Sequence, residues 1–195
     1  MSRETILRSI RQHLPQSSPL PELTGPWIKY ADPIAQFTSV LEMIGGSCVR
    51  VASVDAIPER LGQLPQFASA QRTLSLVPGI AANVSMDAID DPHQLEDVDF
   101  AILPGEFAVA ENAAVWVTDR GVKHRVIYFL CQHLALVVPA SQVVNNLSEA
   151  YERIDFREPH FGAFIAGPSK TADIEQSLVI GAHGPRSMTV FLVDQ

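Results

Sequence analysis

Apolar side chains recur at helical spacing in four segments of the chain. The first segment, residues 2–13, carries its apolar positions on one face. The second begins at Pro33, directly after Asp32, whose carboxylate can cap a helix, and it ends at the Gly45–Gly46 pair. Two further helices are predicted, a short one at residues 55–64 and another at residues 141–154.

Short apolar runs bounded by turn residues predict the strands. The predicted strands cover residues 47–52, 72–77, 100–103, 109–118, 134–138, 162–166 and 188–193. Because they alternate with helices, the chain is predicted to be an α/β layered domain with a mostly parallel central sheet. Residues 1–30 stand apart as an N-terminal helix and a proline-rich arm, so the domain itself is predicted over residues 31–195.

Composition and charge exclude several classes of protein. The 195 residues are 47% hydrophobic and 18% charged, which is typical of a chain with a packed core. The formal net charge of −8 disfavours binding to nucleic acid. Charges interrupt any N-terminal signal core and no apolar stretch is long enough to span a membrane, so we expect a cytoplasmic protein. The two cysteines, Cys48 and Cys131, are expected to be reduced core residues.

The segment GPSKTADIEQ, which begins at Gly167, is the first candidate site. It follows a predicted strand, and ligands in open α/β sheets bind beyond the carboxyl ends of strands. We expect a helix after the turn, capped by Ser169 or Thr171, whose free amides together with Lys170 would attract a carboxylate or phosphate. The plain alternative is a capped connection without a ligand.

The segment GAHGPRS is the second candidate site. Gly181 and Gly184 would let the backbone approach a ligand closely. Between and after them, His183 could transfer a proton and Arg186 could hold an anion. The alternative is a turn with solvated side chains.

Glu111 is the third candidate, because it is the only charged residue between residues 107 and 118. A carboxylate inside an apolar strand must be paired, protonated or functional, so Glu111 is a candidate nucleophile or general base. Glu106 could be a second member of this site. The alternative is a glutamate at the end of a strand that faces solvent or is held by an arginine.

Other motifs give weaker indications. The sequence lacks the common glycine-rich nucleotide-binding motifs and the nucleophile-elbow motif. Its histidines are not spaced as ligands on one helix face, so no metal site is predicted. The basic cluster Lys123, His124 and Arg125 is expected to be a solvated turn, or else to contact an acidic partner or the tail of a long anionic ligand.

The C-terminal run FIAGPSKTADIEQSLVIGAHGPRSMTVFLVD closely resembles the closing signature of the LutC/YkgG family, the LUD domain of lactate-utilisation proteins. The match runs from Gly167 to Glu175 and continues at Gly181 and from His183 to Pro185. The upstream runs AVAENAAVWV and VVPASQVV are also similar to the family, which extends the resemblance to residues 32–195. One departure is Asn112-Ala113-Ala114, where the family usually has Thr-Gly-Thr.

The resemblance implies a fold like that of the NagB/RpiA/CoA-transferase group. It also implies a role in converting L-lactate to pyruvate together with two iron–sulfur partner proteins. The chain would then be a cluster-free subunit, without a cofactor of its own, that binds a small carboxylate or phosphate or organises its partners. Two alternatives stay open. One is a stand-alone enzyme of the CoA-transferase or cyclo-ligase type, with Glu111 as nucleophile or base and with His183 and Arg186 holding an anion. The other is a non-catalytic sensing module.

Overall fold

The computed structural model describes residues 2–15, 18–19, 25–157, 160–174 and 177–194, so much of the proline-rich arm lies outside the described residues. The helices are α1 Arg3–Gln12, α2 Pro33–Met43, α3 Ile57–Gly62, α4 Pro65–Ala68, α5 Ile127–Leu130 and α6 Leu147–Arg153. The strands are β1 Ser47–Val51, β2 Thr73–Ser75, β3 Phe100–Pro104, β4 Phe107–Val109, β5 Ala114–Thr118, β6 His133–Pro139, β7 Val143–Val144, β8 Gly162–Ile165, β9 Lys170–Ile174, β10 Ser177–Ile180 and β11 Ser187–Val193.

The central layer is a five-stranded sheet in the order β1-β11-β6-β3-β2. All four strand pairs in it are parallel, which confirms the predicted α/β architecture. The last strand, β11, therefore lies between β1 and β6. This register brings together the amino ends of β11, β6 and β3, where Ser187, His133 and Phe100 are neighbours in that order.

Both faces of this sheet are covered, which explains why its strands are continuously apolar. Along β11, Val190 and Leu192 belong to one core cluster, whereas Phe191 and Val193 belong to another. The helices α2 on the first face and α3 on the second supply buried partners for these clusters. The side chains of β11 thus alternate between two separate cores.

A second sheet of four strands, in the order β7-β4-β5-β8, packs on the α2 face. Its inner side chains, such as Ala108 and Val115, join the same core cluster as Leu136 of β6. Its outer side chains, such as Phe107, pack with Ala150 of α6 in a third cluster. The molecule is therefore layered, with the second sheet between the parallel sheet and α6.

The helix α2 begins and ends as predicted. The Asp32 carboxylate accepts a hydrogen bond of 3.0 Å from the amide of Ala35, and Pro33 occupies the first turn. Its apolar face buries Phe37 and Leu41 completely. The helix α1 is also confirmed, but none of its residues is buried. No helix in the described part of the chain has the length and apolar character needed to cross a bilayer.

Three predicted elements are wrong. The strand predicted at residues 109–118 is a hairpin of β4 and β5, and the helix predicted at 141–154 begins only at Leu147, where Asn146 caps it. The helix predicted after Ser169 is instead the antiparallel pair of β9 and β10. In the segment 141–154 the first residues leave the helix because the β-branched Val143 and Val144 pair with β4.

Candidate functional site

The two glycine-containing segments form one structure, which we call the glycine-loop pair (residues 167–171 and 181–186). The amide of Ser169 donates to the carbonyl of Pro185 at 2.9 Å, and the amide of Gly181 donates to the carbonyl of Ser169 at 3.0 Å. Gly184 packs on the same serine, because a Cβ there would lie 3.1 Å from Ser169 Cβ. The fold thus brings together two candidate sites that are separate in the sequence.

The glycine-loop pair lies at the amino edge of the five-stranded sheet. The amide of Arg186 donates to the carbonyl of Gln132 at 2.8 Å, directly before β11 and β6 begin. The sequence predicts that the glycine segments follow strands, where the ligands of open α/β sheets bind. The loops do follow strands, β8 and β10, but those two strands lie outside the five-stranded sheet.

Gly181 leaves room for the side chain of Arg186. Its φ is +79°, and a Cβ at this position would overlap Cγ of Arg186. The exposed polar members of the glycine-loop pair are Lys170, His183 and Arg186. Gly167 is buried against Ile44, and Thr171 is half-buried. Ser169 and Thr171 cap no helix, because a strand pair follows them.

A cleft of about 410 Å³ opens beside Arg186, and we call it the amino-edge cleft. Three of its lining residues, Asp99, Gln132 and Arg186, each directly precede a strand of the parallel sheet, and His133 is the first residue of β6. The guanidinium of Arg186 forms no ion pair with any described residue. The cleft therefore contains a cation that is available to a ligand.

His133 is held in a defined orientation in the cleft. Its Nδ1 lies 2.8 Å from Oγ of Ser187 on the adjacent strand. Burial lowers the pKa of His133, and the nearby charge of Arg186 lowers it further, whereas Asp99 acts in the opposite direction. The imidazole is therefore neutral at pH 7, with one nitrogen that donates and one that accepts a hydrogen bond.

Two of the three carboxylates that line the cleft are already compensated. Oδ2 of Asp99 accepts hydrogen bonds from the amides of Gln71 and Arg72 at 2.8 and 2.9 Å, and these bonds lower the pKa of Asp99. Oδ1 of Asp97 lies 2.9 Å from Nε of Arg72. Only Glu96, which is exposed, lacks such a partner among the described residues. The described residues offer no group of three or more side chains suited to a metal ion.

The sequence assigned no role to His133, Asp99 or Ser187, although Ser187 ends the candidate segment GAHGPRS. The candidate segments were those that follow a strand, whereas these three residues lie at or just before the first residue of a strand. A usable signal is present, because Ser187 directly follows Arg186 and His133 opens the apolar run of β6. The strand order needed to bring them together cannot be read from either segment alone.

Glu111 has a structural contact that the sequence did not reveal. It is exposed and lies in the turn between β4 and β5 rather than inside a strand. Its Oε2 accepts a hydrogen bond of 2.9 Å from the amide of Leu147, and its own amide donates to the carbonyl of Asn145 at 3.0 Å. Glu111 thus satisfies a free amide in the first turn of α6.

The helix α2 separates Glu111 from the glycine-loop pair. Near Glu111, Asn145 accepts a hydrogen bond from the amide of Tyr30, just before α2 begins. Beyond the other end of α2, a Cβ on Gly45 would lie 3.7 Å from Nζ of Lys170. Eleven helical residues at about 1.5 Å each give a separation of roughly 16 Å. The fold therefore does not bring Glu111 together with His183 and Arg186.

Replacing Glu111 tests its structural role. We expect Glu111→Ala to lower the free energy of unfolding by about 1 kcal/mol, because an amide at the start of α6 loses its acceptor. Glu111→Gln keeps an acceptor oxygen and should remain within about 0.5 kcal/mol of the parent chain. Urea unfolding followed by circular dichroism measures both. Equal losses in the two variants would contradict a role through this hydrogen bond.

Glu106 and the basic cluster each form contacts with neighbouring parts of the fold. Oε1 of Glu106 accepts a hydrogen bond of 2.7 Å from Oγ1 of Thr118, at the opposite end of the β4–β5 hairpin from Glu111. In the basic cluster, Nζ of Lys123 and Nε2 of His124 bond backbone carbonyls, and the guanidinium of Arg125 lies 5.1 Å from the ring centre of Phe161. These contacts favour a structural turn for the basic cluster.

Both cysteines are free thiols, as expected. Burial raises the pKa of Cys131 to about 12. The pKa of Cys48, which is half-buried, is also raised, mainly by burial. Neither thiol is therefore ionised near neutral pH, so neither is suited to nucleophilic chemistry.

Ala113, which stands where the resembled family usually has glycine, adopts a backbone conformation that is unfavourable for alanine. Its φ is +55°, in the left-handed region that glycine adopts most easily, and its side chain is fully buried. We expect Ala113→Gly to be nearly neutral, because relief of about 1–2 kcal/mol of backbone strain offsets a lost buried methyl group and greater chain entropy.

The matched control is Ala108→Gly, at a fully buried position within β4 that has no positive φ. It loses the same methyl group without relief of strain and should cost about 1.5 kcal/mol. Chemical unfolding of both variants measures the difference. Equal losses would show that the backbone at Ala113 is not strained.

Comparison with known proteins places this geometry in context. A family model described as the LUD domain matches residues 71–193. A protein from Shouchella clausii named Lactate utilization protein C is 30% identical over 122 residues, which cover 60% of this chain and 53% of that protein. The protein of the same name from Geobacillus thermodenitrificans is 35% identical over 104 residues, which cover 50% and 43%. The chain thus spans about half the length of the curated relatives it matches.

A solved structure shows the same fold. The crystal structure of a DUF162 family protein from Deinococcus radiodurans superposes with a TM-score of 0.61 at 19% sequence identity. The superposition covers 85% of this chain and 99% of that one.

Proposed function

Because this chain belongs to the LUD domain family, we propose that it acts in lactate utilisation, as a cluster-free subunit of a complex that oxidises L-lactate to pyruvate. The relatives' shared name, Lactate utilization protein C, supports the pathway. We further propose that the chain resembles the NagB/RpiA/CoA-transferase group in fold.

The main support for the proposal is that backbone hydrogen bonds join the two segments of the glycine-loop pair. The residues that give this chain its family signature are those whose backbones bond to each other and place Arg186 beside a cleft. A guanidinium without an ion pair among the described residues suits the carboxylate shared by L-lactate and pyruvate. We therefore assign the chain a ligand-binding role within the complex.

Oxidation of a 2-hydroxy acid releases two electrons and two protons, so the complex needs an electron acceptor. The chain has two cysteines, one buried and one half-buried, and an iron–sulfur cluster needs more ligands than these. We propose that two partner proteins hold the clusters and accept the electrons. In the stand-alone enzyme considered as an alternative, Glu111 would have to act with His183 and Arg186, and the intervening α2 disfavours that arrangement.

Co-purification and growth test this function together. We expect an affinity-tagged chain, expressed in its native host, to co-purify with two cysteine-rich proteins that show the visible absorption of iron–sulfur clusters. Deletion of its gene should abolish growth on L-lactate but not on pyruvate. A chain that purifies alone, with normal growth of the deletion strain on L-lactate, would overturn the proposal.

A further inference from the structure

We propose that Arg186 and His133, with Ser187 positioning the imidazole, form a binding site for a small carboxylate that carries a neighbouring hydroxyl group. The site is the amino-edge cleft of the five-stranded sheet. Its ligand class rests on the proposed function, but the residues and their location follow from the geometry of the cleft.

Adjacent strands fix the positions of all three residues. Ser187 and His133 are register partners on β11 and β6, and the amide of Arg186 is bonded to the carbonyl of Gln132. On the other side of β6, the amide of His133 donates to the carbonyl of Asp99 at 2.8 Å. The site is thus built on the rigid ends of paired strands rather than on a free loop.

Arg186 is the cation that can bind a carboxylate in this cleft, which is also lined by Glu96, Asp97 and Asp99. The carboxylates of Asp99 and Asp97 are occupied by backbone amides and by Arg72, so they compete little for Arg186. A guanidinium binds a carboxylate through two parallel hydrogen bonds, each of which gains strength from the opposite charges. Glu96 is the exposed carboxylate of the cleft that has no ion pair among the described residues, and the three carboxylates together would disfavour ligands that carry more than one negative charge.

His133 supplies the contact for the hydroxyl group. Its Nδ1 is engaged with Oγ of Ser187, and Nε2 has no hydrogen bond to any described residue. If Ser187 donates to Nδ1, then Nε2 carries the proton and donates; if Nδ1 donates to Ser187, then Nε2 accepts. A hydroxyl group both donates and accepts, so it completes either arrangement. Ser187 acts as a positioning residue, because it fixes the ring without contacting the ligand.

Titration calorimetry on the full chain tests this site, with L-lactate and propionate as probes. Propionate has the same carboxylate and carbon skeleton but lacks the hydroxyl group. We expect L-lactate to bind at least fivefold more tightly than propionate. Arg186→Gln should weaken L-lactate binding by about ten- to a hundredfold, because it removes charge-assisted hydrogen bonds.

The variants at His133 and Ser187 distinguish recognition of the hydroxyl group from binding of the carboxylate. His133→Phe should remove the preference for L-lactate over propionate and leave propionate affinity unchanged. Ser187→Ala should reduce that preference partially. Arg50→Gln is the charge-matched control, because Arg50 is exposed and bonds Asp194 near the opposite end of the sheet. It should bind L-lactate as the parent chain does. Near-ultraviolet circular dichroism verifies that each variant is folded.

Several results would overturn this site. They are equal affinity for L-lactate and propionate, unchanged binding in folded Arg186→Gln, tighter binding of inorganic phosphate, or no binding of any probe by the parent chain. The proposed function fails separately, through normal growth of the deletion strain on L-lactate. A growth defect without binding would refute the site alone, and binding without a growth defect would refute the pathway role alone.

Discussion

Phe191→Ala is expected to lower the free energy of unfolding by about 3–5 kcal/mol. Phe191 is fully buried in β11, where Val49 and Val137 are its register partners on the two neighbouring strands. It lies in the core cluster that joins the sheet to α3, so its removal leaves a cavity that rigid strands on both sides cannot close. Urea unfolding at constant pH measures the change.

Phe156→Ala is the matched control for this variant. Phe156 is 73% exposed and contacts Tyr151 through a stacked ring pair. The same side-chain truncation should therefore cost less than about 1 kcal/mol. Comparable losses at the two positions would contradict the assignment of Phe191 to a closed core.

Gly181→Ala is expected to have the second largest effect, and it should affect both stability and binding. A residue with a Cβ at φ +79° costs about 1–2 kcal/mol, and the overlap with Cγ of Arg186 adds about 1–3 kcal/mol unless that side chain moves. Movement of Arg186 relieves the overlap but displaces the guanidinium from the cleft. We therefore expect binding of L-lactate to fall nearly as far as in Arg186→Gln.

Gly121→Ala separates backbone strain from the overlap. Gly121 also has a positive φ, +67°, but a Cβ there would meet no atom within 4 Å. This variant should lose about 1 kcal/mol of stability and bind L-lactate normally. Normal binding of L-lactate by Gly181→Ala would contradict the expectation that the Arg186 side chain must lie against Gly181 to reach the cleft.

The parts of the fold that could be predicted from sequence depend on local chemistry. The carboxylate of Asp32 and the ring of Pro33 fix the start of α2 without reference to the rest of the chain. Local signals also misled. The small apolar residues around Glu111 continue the strand pattern, so the turn between β4 and β5 is hidden. Capping residues after Gly167 indicated a helix, although Thr171 enters a strand pair.

The candidate site could be predicted only in part, because its second half depends on strand order. The two glycine segments were identified by composition and by resemblance to a family. His133 and Ser187 are 54 residues apart and meet only because β11 inserts beside β6. No local pattern specifies that insertion. Both residues lie at the amino ends of their strands, whereas the sequence predicts ligand binding beyond carboxyl ends.

The central place of β11 also has a consequence for synthesis on the ribosome. Ser47 in β1 has Thr189 in β11 as its partner. Strand β1 therefore cannot pair with β11 until most of the chain has been translated. At about 5–20 residues per second, that delay is on the order of ten seconds. During it, the edges of β1 and β6 that later bind β11 are unpaired and able to bind other extended chains. A nascent chain stalled before β11 should therefore depend on chaperones more than the finished protein does.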